Sequence, residues 1–189
     1  MMSAGGWTIW TYLGAFVVQR HGFTTQGAGW AWIIVGLGLL AGTLLAGGRL
    51  GRVPLDVLFA GAAIGTGVCL GASFVLPLAA WSAVGVVGLG TLLHGVTQVV
   101  TAVLLPNSAP TGRAAIMTFR GAASSLGAAA GASAGGMLLE GVGFAALGAT
   151  AMACCGVAAA LMWWSRSQPV GSIAPHTAGP RIDRAVAAP

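Results

Sequence analysis

The side chains in this sequence best suited to chemistry stand inside runs that are otherwise apolar. His94, Gln98 and Thr101 are spaced by four and three, and Thr91 precedes the histidine by three. On a helix that spacing stacks side chains along one face. An imidazole can exchange a proton near neutral pH, and a primary amide offers a donor and an acceptor together. Against hydrocarbon such a face would be costly, so it must meet a polar cavity or another helix. The plainer alternative is an interhelical hydrogen bond that only holds helices together. A second group, Thr8, Tyr12 and Gln19, shares a face at spacings of four and seven. Its aromatic and amide character suits an amphipathic organic molecule, and its alternative is an interfacial helix end.

A third pattern, Gly131-Ala132-Ser133-Ala134-Gly135, matches the G-x-S-x-G of a hydrolase nucleophile elbow. That elbow requires a strand-to-helix turn that exposes the serine. Here the serine lies in a helical stripe of small residues, Gly127, Gly131 and Gly135, which Ala123 extends. Stripes of this kind let helices approach closely, and similar ones occur at Gly38, Gly42 and Ala46 and at Ala63, Gly67 and Gly71. An intramembrane serine protease with His94 as base is the enzymatic alternative. Packing explains Ser133 without a partner, so no enzyme is expected.

Composition says what surrounds these residues. The chain has 189 residues, of which 57% are hydrophobic and only 6% charged. A soluble domain carries about 25% charged residues, so this surface must face something other than water. The net charge of +5 comes from eight arginines scattered between apolar runs. They form no basic stripe interleaved with aromatics, which excludes a nucleic-acid surface. Cys69, Cys154 and Cys155 all fall within apolar runs and match neither a disulfide framework nor a metal spacing. No metal and no cofactor are expected; membrane lipid is the expected surrounding.

A hydrocarbon core needs about 20 apolar residues per helix. Six segments qualify: about Met2 to Val18, Gly27 to Ala46, Val57 to Val75, Ala79 to Leu105, Ala114 to Leu139 and Phe144 to Trp164. Polar, Gly-rich or Pro-containing breaks separate them, and residues 165–189 read as a disordered tail rich in Pro, Ser and Gly. The fold class is therefore an all-α, polytopic membrane protein with six spans. Arg49, Arg52, Arg113, Arg120, Arg166, Arg181 and Arg184 then fall on one side, and only Arg20 on the other. The positive-inside rule makes that side cytoplasmic. Both termini and the tail are thus expected in the cytoplasm, with the chain in the cell (inner) membrane. Trp30, Trp32, Trp81, Trp163 and Trp164 stand at span ends, as an interfacial belt requires. Arg120, two turns into the fifth span, is expected to snorkel to the surface or to pair with a carbonyl.

The loop Arg49-Leu50-Gly51-Arg52 between the second and third spans resembles a family loop signature in which an Asp-Arg pair, a spacer and Gly-Arg link two helices. Arg49, Gly51 and Arg52 match it, while Gly48 stands at the acidic position. Ala109-Pro110-Thr111-Gly112-Arg113, followed by Leu126-Gly127, Gly131 and Gly135-Gly136, resembles the start of that family's eleventh helix. Together with six spans, these motifs resemble the carboxyl-terminal half of a major facilitator superfamily transporter over residues 8 to 164. Tyr12-Leu13 and the loop through Gly22 resemble its drug and sugar efflux branches.

The resemblance implies that the six spans are helices seven to twelve, with the first and fourth lining a cavity. It also implies two inverted three-helix repeats. A five-residue echo, Ala46-Gly47-Gly48-Arg49-Leu50 against Ala134-Gly135-Gly136-Met137-Leu138, stands at equivalent positions. The implied function is secondary active transport, with proton-coupled efflux of a small organic solute. Six helices make half of such a site. The second bundle is expected from another chain or a second copy, or to be missing through truncation, which the abrupt start of the first span favours. A structural or regulatory six-helix protein without a transport cycle is the further alternative.

Overall fold

The computed structural model describes residues 2–48, 53–108 and 112–167, and among them all regular structure is helical. The helices are α1 (Met2–His21), α2 (Thr25–Gly47), α3 (Leu55–Val75), α4 (Ala80–Ser108), α5 (Arg113–Gly141) and α6 (Phe144–Ser167). Their ends follow from local chemistry. Gly22, at φ 65°, closes α1. Its N–H reaches the Val18 carbonyl and that of Phe23 reaches Val17, so a left-handed glycine cap satisfies carbonyls that the helix leaves open. Thr24 then caps α2, its Oγ1 accepting from the Gly27 N–H at 3.2 Å. Several ends run past the expected spans, α1, α4 and α6 by three residues each. Helix α4 continues through Pro106 to Ser108, because a proline in the last turn costs one backbone bond without a full break. Helix α6 continues to Ser167, taking in the first three residues of the expected tail. The rest of that tail lies outside the described residues.

Five of the six helices, α2 to α6, are long and apolar enough to cross a membrane. Helix α1, expected as the first span, falls outside this set. Thr8, Thr11, Tyr12, Gln19, Arg20 and His21 dilute its apolar residues. It is nevertheless part of the bundle core, because Ile9, Leu13, Phe16 and Val17 are all buried.

The exterior is as apolar as the core, unlike that of a soluble bundle. Trp30, Ile33, Leu37, Leu40 and Leu44 are exposed and form one continuous stripe along α2 by their spacing. Thr66, Ser73, Thr91, His94 and Thr97 are buried. Hydrocarbon is the solvent compatible with so apolar an exterior.

The pairing of helices has an internal regularity. Helix α1 packs chiefly on α5 and α6, α4 packs chiefly on α2 and α3, and α3 packs on α6. Exchanging α1, α2 and α3 for α4, α5 and α6 maps this set of pairings onto itself. The tight seams use glycine. A methyl on Gly95 of α4 would stand 2.5 Å from the Leu39 carbonyl oxygen of α2, and one on Gly42 would overlap the Leu92 carbonyl. Across the α3–α6 seam, a methyl on Gly148 would stand 2.9 Å from the Gly71 carbonyl oxygen. By contrast, α4 meets α5, and α1 meets α2, over short stretches only.

Candidate functional site

Three helices place a continuous polar chain inside the bundle. On α4, His94 and Gln98 stand one turn apart, with Gln98 Nε2 3.0 Å from His94 Nε2. From α5, the Arg120 guanidinium donates through one terminal nitrogen to Gln98 Oε1 at 2.6 Å and to the Gln98 backbone carbonyl at 3.3 Å. From α1, the Trp10 ring meets the His94 ring edge-to-face, with centroids 5.0 Å apart. His94 is only 4% exposed, whereas Trp10, Gln98 and Arg120 are half-buried.

The proton arrangement of the chain follows from its ends. A guanidinium has donors and no acceptor, so the Gln98 atom facing Arg120 must be the carbonyl oxygen. The other end of that amide is then NH2, which donates to His94 Nε2. Nε2 must accept, which makes the imidazole neutral with its proton on Nδ1. Protonated His94 would set a donor against a donor. Gln98 would have to turn over, and its side-chain bond to Arg120 would break. The charge state of His94 is in this way tied to the grip of α5 on α4.

The other residues singled out in the sequence are placed as follows. Thr91 is fully buried but faces α2, donating to the Val35 carbonyl at 3.2 Å and to Gly88 of its own helix at 2.8 Å. Thr101 is half-buried and donates to the Thr97 carbonyl one turn back at 2.6 Å. Tyr12 points to α5, where its hydroxyl donates to the Ala132 carbonyl at 2.7 Å. A methyl on Gly136 would come within 2.8 Å of that hydroxyl, so small residues of α5 make room for it. Gln19 is exposed near the end of α1. Thr8 lies on α1, and its side chain is outside the described residues, as are Arg49, Gly51 and Arg52. Gly131 and Gly135 are buried, and Gly127 is half-buried.

Ser133 is exposed and stands about 20 Å further along α5 than Arg120, at 1.5 Å per residue. The His94–Gln98–Arg120 chain is therefore far from it, and the geometry assembles no serine–histidine pair. Among the described residues no group of His, Cys, Asp and Glu could hold a metal ion.

Sequence reasoning missed two members of the chain as site residues. Arg120 carried a signal, since an arginine two turns inside an apolar helix needs an acceptor. Trp10 carried none, because it stands two residues from Tyr12 and so on a different face of α1. At the opposite end of α1, Arg20 donates to the Phe74 carbonyl, where α3 closes. Its guanidinium also lies 5.7 Å from the Phe16 ring centroid. Comparison of the chain with protein-family models, curated proteins and solved structures finds no match.

Proposed function

We propose that this chain is a membrane-embedded half of a secondary transporter of the major facilitator type, which moves a small organic solute in a proton-coupled cycle. The observation that carries the reading is the chain Trp10–His94–Gln98–Arg120, in which a proton-accepting imidazole is wired to a charged group on a neighbouring helix. Ionisable groups inside apolar helices are costly and by default mark ion and substrate paths. The exchangeable pairing of the two three-helix halves supports the reading, because transporters of this class are built from such repeats and bind their solutes at repeat interfaces.

On this reading both termini are cytoplasmic in the cell membrane, and the second half of the site comes from another bundle, supplied by a second chain or a second copy. Rocking of one bundle against the other would alternate access to the polar chain. His94 carries the proton, and Gln98 transmits its arrival to Arg120.

The test is a pH-gradient assay in inside-out membrane vesicles from cells expressing the chain. A set of neutral, cationic and anionic aromatic solutes is added in turn. At least one solute collapses the gradient in a saturable manner, and His94→Ala and Gln98→Ala each remove that effect. The same solute produces no flux in liposomes holding the chain as a monomer. Full solute-dependent collapse in both variants would refute the assignment.

A further inference from the structure

Among the described residues, Arg120 is a charge without a paired counter-charge. It lies about 10 Å along α5 from Arg113, at 1.5 Å per residue, on a helix whose residues between Arg113 and Glu140 are otherwise small or apolar. Its acceptors are the two oxygens of Gln98, both uncharged, and both are reached through one terminal nitrogen. The other terminal nitrogen and Nε have no protein acceptor among the described residues. Neither carboxylate of the described residues is among its hydrogen-bond partners. Asp56 opens α3, and Glu140 ends α5, about 30 Å from Arg120 along the helix.

Helices α4 and α5 touch over a short stretch only, and Arg120 bridges them. Trp10 and His94 add aromatic rings on the α1 and α4 side. A half-buried guanidinium in an apolar setting is stabilised chiefly by a charge-assisted pair with a carboxylate or phosphate, for which its planar fork is suited.

We infer that the sparsely packed junction of α4 and α5 binds an organic anion, with Arg120 gripping a carboxylate or phosphonate and the Trp10–His94 side taking an aromatic or apolar body. The inference rests on the transporter reading and names the solute class of the same site. The free nitrogens of Arg120 supply the recognition while its bonded nitrogen stays on Gln98, so the anion binds without dismantling the chain. The anionic headgroup of a lipid shares this chemistry, and the experiment separates the two sources.

The experiment uses the full chain in nanodiscs of phosphatidylcholine, read by thermal unfolding through tryptophan fluorescence. Benzoate is titrated against its neutral analogue benzamide. Benzoate raises the unfolding midpoint in a saturable manner and benzamide does not. Arg120→Gln weakens benzoate roughly tenfold or more, the expected effect of losing a charge-assisted pair. Arg113→Gln, at the exposed start of α5, leaves it unchanged. Arg120→Lys keeps the charge but loses the fork, and falls between.

Equal protection by benzamide overturns the inference in the unaltered chain, without reliance on any variant. So does a benzoate effect that survives Arg120→Gln. So does Arg120-dependent stabilisation by phosphatidylglycerol to which benzoate adds nothing. Binding requires no transport cycle, which keeps the two readings separable. Benzoate binding without solute-dependent flux refutes only the transporter reading. Flux of a neutral solute without benzoate binding refutes only the anion.

Discussion

Removing the Gln98 amide tests the polar chain at its middle link. Gln98→Leu preserves bulk and takes away two bonds. The first is the 2.6 Å acceptor of Arg120. A hydrogen bond to a charged group contributes about 1.5–3 kcal/mol. The second is the 3.0 Å bond to His94, of the neutral kind that contributes about 0.5–1.5 kcal/mol. His94 is almost fully buried, so its ring nitrogen is left without water to replace the amide. The expected loss is about 2–4 kcal/mol, moderated because Arg120 keeps the backbone carbonyl at 3.3 Å. The decisive measurement is a double-mutant cycle with Gln98→Leu, Arg120→Leu and the pair. Each protein is unfolded in mixed micelles by a titration with sodium dodecyl sulfate and followed by tryptophan fluorescence. The two sites couple by about 1–3 kcal/mol, since residues that share one hydrogen-bond network are not additive. Membrane hydrogen bonds measured in this way average about 0.6 kcal/mol, so the charge on Arg120 must supply the excess. A coupling below about 0.5 kcal/mol, the range of independent sites, would refute the link.

The glycine seams make a sharper steric prediction. Gly95→Ala and Gly42→Ala force α2 and α4 apart at backbone contacts and destabilise by about 1–3 kcal/mol or more in the same titration. Gly36→Ala and Gly85→Ala, where an added methyl meets open space, are neutral or stabilising by up to about 1 kcal/mol through helix propensity; equal effects at all four would refute the seam. Phe16 stacks on Phe74 at 4.1 Å and meets Phe144 edge-to-face at 5.4 Å. Phe16→Ala therefore loses about 3–5 kcal/mol, whereas Phe119→Ala, at a 77% exposed position, changes stability by less than about 0.5 kcal/mol.

The helices were readable because long apolar runs bounded by Gly22, Pro54, Pro77 and Gly143 leave few alternatives. Helix α1 marks the limit of that reading. Its polar residues keep it out of the most apolar class, and only contacts with distant parts of the chain account for its place in the core. The shared face of His94 and Gln98 was legible too, as they are neighbours on one helix; their bond to each other was not. Beyond the single helix the pattern ran out. Thr91 shares the spacing of that face, yet its hydroxyl turns to the Val35 carbonyl of α2. Tyr12 has the chemistry of a cavity residue, yet it closes on Ala132 of α5, while Trp10 meets His94. Which flank of α1 points inward depends on where α4 and α5 stand, and no spacing along α1 encodes that. Arg120 needed an acceptor, but Gln98 lies 22 residues earlier, so only the fold could identify it.

The places where the bundle is tight and where it is loose follow from the same distribution of residues. Glycines bring α2 against α4 and α3 against α6 at backbone distance, and small residues of α5 let Tyr12 of α1 reach a carbonyl. The α2–α4 and α1–α5 pairs correspond under exchange of the halves. Between them, α4 and α5 share little contact surface and are bridged by side chains. Backbone seams resist movement because a close-packed interface has no intermediate positions. A side-chain bridge is different, since reversing one amide removes it. The polar chain runs from Trp10 on α1 through His94 and Gln98 on α4 to Arg120 on α5, and so crosses a joint held by little packing. On the proposed function, a proton on His94 acts on the Gln98 bond, which lies apart from the backbone contacts of the glycine seams. On that function, the chemistry is thus placed where a single charge would alter the contact between two helix pairs and leave each pair intact.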